Sequence, residues 1–407
     1  MALTKVITGV TDLNQAQSTN GLKFPTGDAF AGTPEEGMIR NDQSQASEGS
    51  ASTMQFYNGT AWKNFVNKVP IPLGSDNFNT VLYTGNGTTQ NVGGVGFQPD
   101  FTWIKNRNNS ANSSHAHALF DSVRTSGFRL VSNTTAAQNN YSSYMTGFNS
   151  DGFGVSGNQL NDSASGSYVA WNWKAGGTAV SNTDGSITSS VSANTAAGFS
   201  IVKWSGNDLA SQTIGHGLSS TPELYIIKKT SATLGWQVNL SSLVTGTEGY
   251  LLLDRDLSMY TTFPNYYTSA NSSVLSTNGT STAERLYNNQ SAEYIAYCFH
   301  SVAGYQKIGS YIGSGTTSKV VSGLGFTPSF VMIKRTDSSG VWVMLDNKRV
   351  GSYPNSLYAN SSAAEDVTQN NSGWYPISFS SGQFELLQPT GDYNAGGTSN
   401  YIYMAFA

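Results

Sequence analysis

A single cysteine, Cys298, stands in a chain of 407 residues, so no intrachain disulfide framework holds this protein together. Charge is scarce as well. Asp, Glu, Lys and Arg make up 11% of the chain and the formal net charge is −4. The basic residues do not cluster, so nucleic acid is not an expected partner. No apolar run approaches the ~18 residues of a membrane span, and membrane insertion is not expected. Residues 1–9 have neither an extended apolar core nor a basic leader. They are read as no secretory signal, with synthesis in a cytoplasm. No long amphipathic stretch of helical period is present. Cys298, inside the apolar run 294–299, is expected to be a small core residue.

Gly, Ser, Thr and Asn are plentiful instead, and aromatics reach 12%. Frequent turn formers with many Tyr and Trp fit an all-β protein of short strands and polar loops. One stretch occurs three times: Gly94-Val95-Gly96-Phe97-Gln98-Pro99-Asp100-Phe101-Thr102-Trp103-Ile104-Lys105, then 217–228, then 323–334. In each copy a Gly stands five residues before the Pro and a Lys six after it. Proline fixes φ and cannot donate to a ladder, so it belongs in the entry turn. The apolar run behind it predicts the central strand of a repeated domain, buried on both faces, with the lysine ending it at solvent.

Two further landmarks keep the same phase. A short strand and Gly-rich turn precede each Pro, at 81–87, 201–207 and 308–315. A closing strand follows, at 168–173, 294–299 and 401–406. Pro99 and Tyr168 are 69 residues apart, Pro222 and Tyr294 72, and Pro328 and Tyr401 73. Three landmarks in one order at nearly one spacing define an internal repeat.

The fold expected is all-β: a small N-terminal β attachment segment followed by three tandem β-sandwich, jelly-roll-like modules. The segment is 1–75, module 1 is 76–175, a linker or inserted hairpin is 176–195, module 2 is 196–303 and module 3 is 304–407. In the first segment, 37–42 and 54–65 read as strands, and Tyr57-Asn58-Gly59-Thr60 is a hairpin signal. So few strands cannot bury a core alone, so this segment is expected to fold against another copy or a larger assembly. Residues 69–75 read as a stiff extended linker.

Candidate chemistry is sparse. Asp121 with Arg124, and Asp346 with Arg349, form an Asp-x-x-Arg pair expected to lock a strand end or turn; orienting a ligand is the other role open to it. Module 2 has Asn239-Leu240-Ser241-Ser242-Leu243 there, which argues against a catalytic role in every module. His115 and His117 could share one face of a strand and reach a metal, or lie on an exposed loop and bind nothing; the second is preferred. His216 and His300 have no evident partner. Asp151, Asp162, Asp184 and Asp392 sit in Gly/Ser/Asn-rich loops without the close spacing of a calcium site. The glycines at 85–96 are followed by no Gly-Lys-Ser/Thr, so no phosphate loop is read there. No nucleophile elbow or acid/base pair stands out, so no enzyme, cofactor or metal is expected. Tyr141, Tyr144, Tyr260, Tyr266, Tyr267, Tyr353 and Tyr358 fall in polar loops, where they either recognise a sugar or protein surface or pack over sandwich edges.

The motif 96–105, with Phe120-Asp121-Ser122-Val123-Arg124 and 168–176, resembles a repeated β domain of tailed-phage virion proteins, found especially in phages of marine bacteria and cyanobacteria. Separately, 37–41 followed by 56–63 resembles a short motif common in phage fibre and appendage proteins. Within it Ile39, Arg40, Phe56, Tyr57 and Trp62 would form the attachment surface. The resemblance implies a virion component: a tail fibre or spike subunit that docks by its N-terminal segment and touches the host surface with its β modules. Partners would be other virion proteins of tail or capsid, a host-surface glycan or protein, and further copies of the chain, as a homotrimer. A capsid decoration or head-fibre protein is the alternative. A bacterial surface adhesin, a carbohydrate-binding protein and a glycan hydrolase rank below them.

Overall fold

The computed structural model describes residues 39–42, 53–57, 60–64, 74–108, 115–162, 166–241, 249–261, 268–277, 287–349, 356–365 and 377–407. The chain divides into two compact units, 1–70 and 71–407. In the first, strands Ile39–Asp42, Thr53–Tyr57 and Trp62–Asn64 form one antiparallel sheet. Ile39 is paired with Phe56, and Tyr57 with Trp62. The Asn58-Gly59 turn, Tyr266, Tyr267 and Tyr353 lie outside the described residues.

The second unit is built three times on one plan. In module 1 the closing strand Ser167–Trp173 lies between the opening strand Phe78–Thr84 and the Pro-led strand Phe101–Asn106, and Ala118–Asp121 follows on the far side. Module 2 repeats the order with Phe199–Ser205, Glu293–Phe299, Leu224–Lys229 and Gln237–Leu240. Module 3 repeats it with Gln306–Ile312, Asn400–Phe406, Phe330–Arg335 and Val343–Asp346. A smaller three-stranded sheet accompanies each: Gln90–Val92 with Gly152–Val155 and Met145–Asn149, and its counterparts at 213–215, 274–277 and 268–270 and at 319–322, 383–386 and 377–380. Residues 176–195 carry strands Val180–Asn182 and Ser189–Asn194, which extend the main sheet of module 2 beyond its opening strand.

The turn before each Pro explains its glycine. Gly94, Gly217 and Gly323 have φ of 80°, 70° and 83°. A side chain in that left-handed region strains the backbone, whatever room surrounds it.

Side chains on a strand alternate between faces, and here both faces are covered. In the closing strands Tyr168 and Ala170, then Tyr294, Ala296 and Cys298, then Tyr401, Tyr403 and Ala405 face the core of their own module. Their alternates are Val169, Trp171 and Trp173, then Ile295, Tyr297 and Phe299, then Ile402, Met404 and Phe406. All nine belong to a single core that the three modules share. Rings interleave across it: Phe101 stacks on Tyr297 with centroids 4.4 Å apart, Phe78 on Phe406 at 5.0 Å, and Phe299 meets Phe406 edge-on at 6.1 Å. Cys298 is fully buried in the module 2 core, where burial raises its thiol pKa to about 12.

A shared core makes folding collective. Phe330 touches Phe78, Trp171 and Trp173 of module 1. Phe330→Ala is expected to cost about 3–5 kcal/mol and to shift a single unfolding transition. Urea denaturation followed by tryptophan fluorescence and by circular dichroism checks this; two separated transitions would show that the modules fold independently.

Candidate functional site

Several buried charged groups of the second unit lie where one module meets the next. Asp121 and Arg124 are both buried, with Arg124 Nε 2.6 Å from Asp121 Oδ2. Asp121 Oδ1 accepts the Val123 and Arg124 amides, closing the turn. Its Oδ2 also accepts the Tyr297 hydroxyl of module 2 at 2.7 Å. Burial opposes the Arg124 charge, but Asp121 and Tyr297 more than offset it and hold the guanidinium pKa above its usual value. Module 3 repeats the device: Arg349 Nε is 2.6 Å from Asp346 Oδ2, which accepts the Trp171 indole N–H of module 1 at 2.9 Å. Arg349 also reaches Glu365, whose carboxylate is gripped by Arg107 of module 1 at 2.8 and 3.0 Å. The pair thus locks a turn and also ties its module to the next. In module 2, Leu240 takes the place of the aspartate, and in module 3, Met404 takes the place of Trp171 and Tyr297; both are buried in the shared core. The acid and its partner's donor are lost together.

A second set of contacts runs around the same ring. The strand registers make His117, Trp236 and Trp342 equivalent, and likewise Val131, Leu252 and Tyr358. Trp236 Nε1 donates to Val131 O at 2.9 Å, Trp342 Nε1 to Leu252 O at 2.9 Å, and His117 Nε2 lies 2.9 Å from Tyr358 O. Module 2 therefore reaches module 1, module 3 reaches module 2, and module 1 reaches module 3. Trp103 Nε1 donates to His117 Nδ1 at 2.8 Å, which places the imidazole proton on Nε2. Burial, reinforced by Lys105, lowers the His117 pKa to about 3.

Both histidines of the His115–His117 pair are buried, so the expectation of an exposed loop is overturned. His117 is covered by module 3, whose Tyr358 carbonyl it meets. His117 spends both nitrogens on protein partners, and His115 lies 3.5 Å from Asp162. No group of three or more potential metal-ligating side chains occurs among the described residues.

The expectation that each Pro-led strand ends at solvent with its lysine is also overturned. Lys105, Lys228 and Lys334 are at most 1% exposed. Their ammonium groups donate to carbonyls: Lys105 to Asn106 at 2.7 Å, Lys228 to Thr135 of module 1 at 2.9 Å and to Leu234, and Lys334 to Arg335 at 2.5 Å. A neighbouring module caps the end that a lone sandwich would leave in water. Burial lowers each lysine pKa to about 8, partly opposed by Glu365 at Lys105, by Asp254 at Lys228 and by Asp256 at Lys334.

At this three-way junction lies an open cleft of about 450 Å³. Module 1 lines it with Asn133, Thr134 and Thr135, module 2 with residues 254–257, and module 3 with Asn360. Asn133, Asp254 and Asn360 are themselves equivalent. Each accepts the backbone N–H of the residue that starts the ring contact in its own module: His117 at 3.2 Å, Trp236 at 2.7 Å and Trp342 at 3.0 Å. None of these was singled out from sequence. The signal available was a fourth landmark, Leu130-Val131-Ser132-Asn133, Leu251-Leu252-Leu253-Asp254 and Leu357-Tyr358-Ala359-Asn360.

The loop tyrosines fall elsewhere. Tyr141 and Tyr144 are half-buried against the module 1 core with rings 5.0 Å apart, and the Arg129 guanidinium lies 3.8 Å over Tyr141. Tyr260 stacks on Tyr250 at 4.9 Å. Tyr358 sits in a strand rather than a loop, half-buried against the module 3 core. The loop aspartates brace turns: Asp151 accepts the Gly94 and Gly96 amides, Asp184 the Asn182 side-chain amide, and Asp392 the Val341 amide. His216 is buried between Asn271 O and the Leu218 amide, close enough to His300 for the two to interact electrostatically. Ile39, Arg40, Phe56, Tyr57 and Trp62 are placed by the strand pairing of the first unit.

A family model for a domain of unknown function, DUF7483, matches residues 73–407, and the chain belongs to that family. No curated protein matches the chain. No solved structure matches it either.

Two predictions follow from the junction. Asp346→Leu leaves the Trp171 N–H buried without its acceptor and Arg349 with Glu365 as its remaining carboxylate, and is expected to cost about 2–3 kcal/mol by urea unfolding; a loss under about 1 kcal/mol would mean the pair is dispensable. The lysines set a pH dependence. Between their folded pKa of about 8 and an unfolded value near 10.4, the unfolded chain binds more protons, so stability rises with pH. Cys298 and the buried tyrosines, all raised by burial, act in the opposite direction once their unfolded forms ionise. Urea midpoints should climb from pH 7.5 to 9 and fall above about pH 10.

Proposed function

We propose that this protein is a structural subunit of a tailed-phage virion, of the tail fibre or spike type. The N-terminal unit attaches it to the particle, and the three-module head contacts the host surface by binding rather than by catalysis. The observation that carries this reading is the division of labour in the chain. A three-stranded sheet of short strands, marginal by itself, precedes a head whose buried charges and indoles are spent on joining modules. A small sheet of this kind is suited to pairing with a particle protein or with other copies of itself. Ile39, Arg40, Phe56, Tyr57 and Trp62 are the residues we assign to that attachment, and a homotrimer is the assembly we propose for it. The alternative within the same class is a capsid decoration or head-fibre protein.

Antibody against the full chain, carried on gold and imaged on intact particles with and without host cells, tests the reading. Label on the tail that becomes masked on attachment is the expected result. Label over the head would favour decoration, and particles without label would overturn a virion role. Light scattering on the purified chain should give the mass of three chains.

A further inference from the structure

The cleft at the junction of the three modules is lined by polar groups whose hydrogen-bonding capacity the fold uses only in part. Asn133 and Asn360 each commit the side-chain oxygen to a backbone N–H, which fixes the amide plane. Their Nδ2 groups have no protein partner among the described residues. Thr134 Oγ1 is buried without one. The Asp256 carboxylate makes no hydrogen bond among the described residues. Asp254 turns one oxygen to the Trp236 amide and the other toward Arg255 Nε at 3.7 Å, and the Arg255 side chain is 56% exposed. Leu257, also in the lining, is 37% exposed.

From this arrangement we infer that the cleft binds a neutral saccharide. Amide N–H and guanidinium donors line it together with the Asp256 carboxylate and the nearly buried Asp254. An anion would face Asp254 and Asp256; a metal ion would face Arg255 and the amide N–H groups. A hydroxyl both donates and accepts, so adjacent hydroxyls on a sugar ring satisfy such a mixed lining where a ligand of one polarity cannot. Leu257 supplies apolar area for the C–H face of the ring. The volume is in the range of small-ligand sites, roughly 300–1,000 Å³. Asn133, Asp254 and Asn360 are held before any ligand arrives, because they brace the residues that close the ring of modules. That lowers the ordering cost of binding. The inference deepens the host-contact reading and rests on it for the source of the sugar, a host-surface glycan.

Saturation-transfer NMR on the full chain, with neutral mono- and disaccharides and with glucuronic acid as an anionic comparison, tests it. Transfer to a neutral sugar is expected, weakened at least about tenfold in Arg255→Ala/Asp256→Asn, as for loss of charged hydrogen bonds. Thermal melts confirm that the variant is folded. If it is not, Leu257→Trp fills the cleft without removing a buried bond, and should abolish transfer. No transfer to any neutral sugar, transfer unchanged by these variants, or binding of glucuronic acid alone would each overturn the inference. Sugar binding in a chain that labels no particle would sink the virion reading and leave this one standing. Label on particles without sugar binding would do the reverse.

Discussion

The head depends on one constraint: each main sheet is apolar on both faces. The inner face is covered by the module's own small sheet, as in any sandwich. The outer face, with Trp171 and Trp173, Tyr297 and Phe299, or Met404 and Phe406, would lie in water if the module stood alone. At roughly 25 cal/mol per Å² of apolar surface, rings of this size make such exposure prohibitive. Three modules solve the problem together, because three sheets can turn those faces toward a common centre. The shared core is therefore the reason that the chain has three repeats in one compact unit.

Apolar packing sets no direction around that centre, and the polar contacts supply it. Each N–H of the ring of His117, Trp236 and Trp342 finds a carbonyl on the preceding module. Each buried Asp-Arg pair takes a donor from the following one. These bonds are directional and costly to leave unmade, so they fix which neighbour sits on which side. His117 fits the same role as the two tryptophans only in its neutral form, and the Trp103 N–H on its other nitrogen holds it there.

Much of this architecture could be read from the repeats. The Gly-to-Pro-to-Lys spacing located the Pro-led strand and the turn before it, and apolar residues at successive positions correctly indicated burial on both faces. What covered the second face could not be read, because a strand's sequence records that a side is apolar and not what lies against it. The same gap explains the lysines. A lysine after an apolar run signals a strand end at solvent in an isolated sheet, and only the packed neighbour turns it into a buried donor. Asn133, Asp254 and Asn360 escaped notice because their partner is a backbone amide, which leaves no mark on the partner's residue type. The tyrosines drew attention as flat apolar rings with a hydroxyl in polar loops, open to recognition or to packing, and Tyr141, Tyr144 and Tyr358 pack against the cores of their modules.

Closing the ring within one chain has a consequence for the junction itself. In an assembly of three separate identical subunits, every change at an interface appears three times, and the axis can hold only what obeys its symmetry. Covalent linkage removes both conditions. Leu240 and Met404 could replace one acid and its donor without touching the other two walls, and the central opening could acquire one aspartate beside two asparagines. Linkage also makes closure of the ring independent of concentration, so the head keeps its lopsided centre at any dilution.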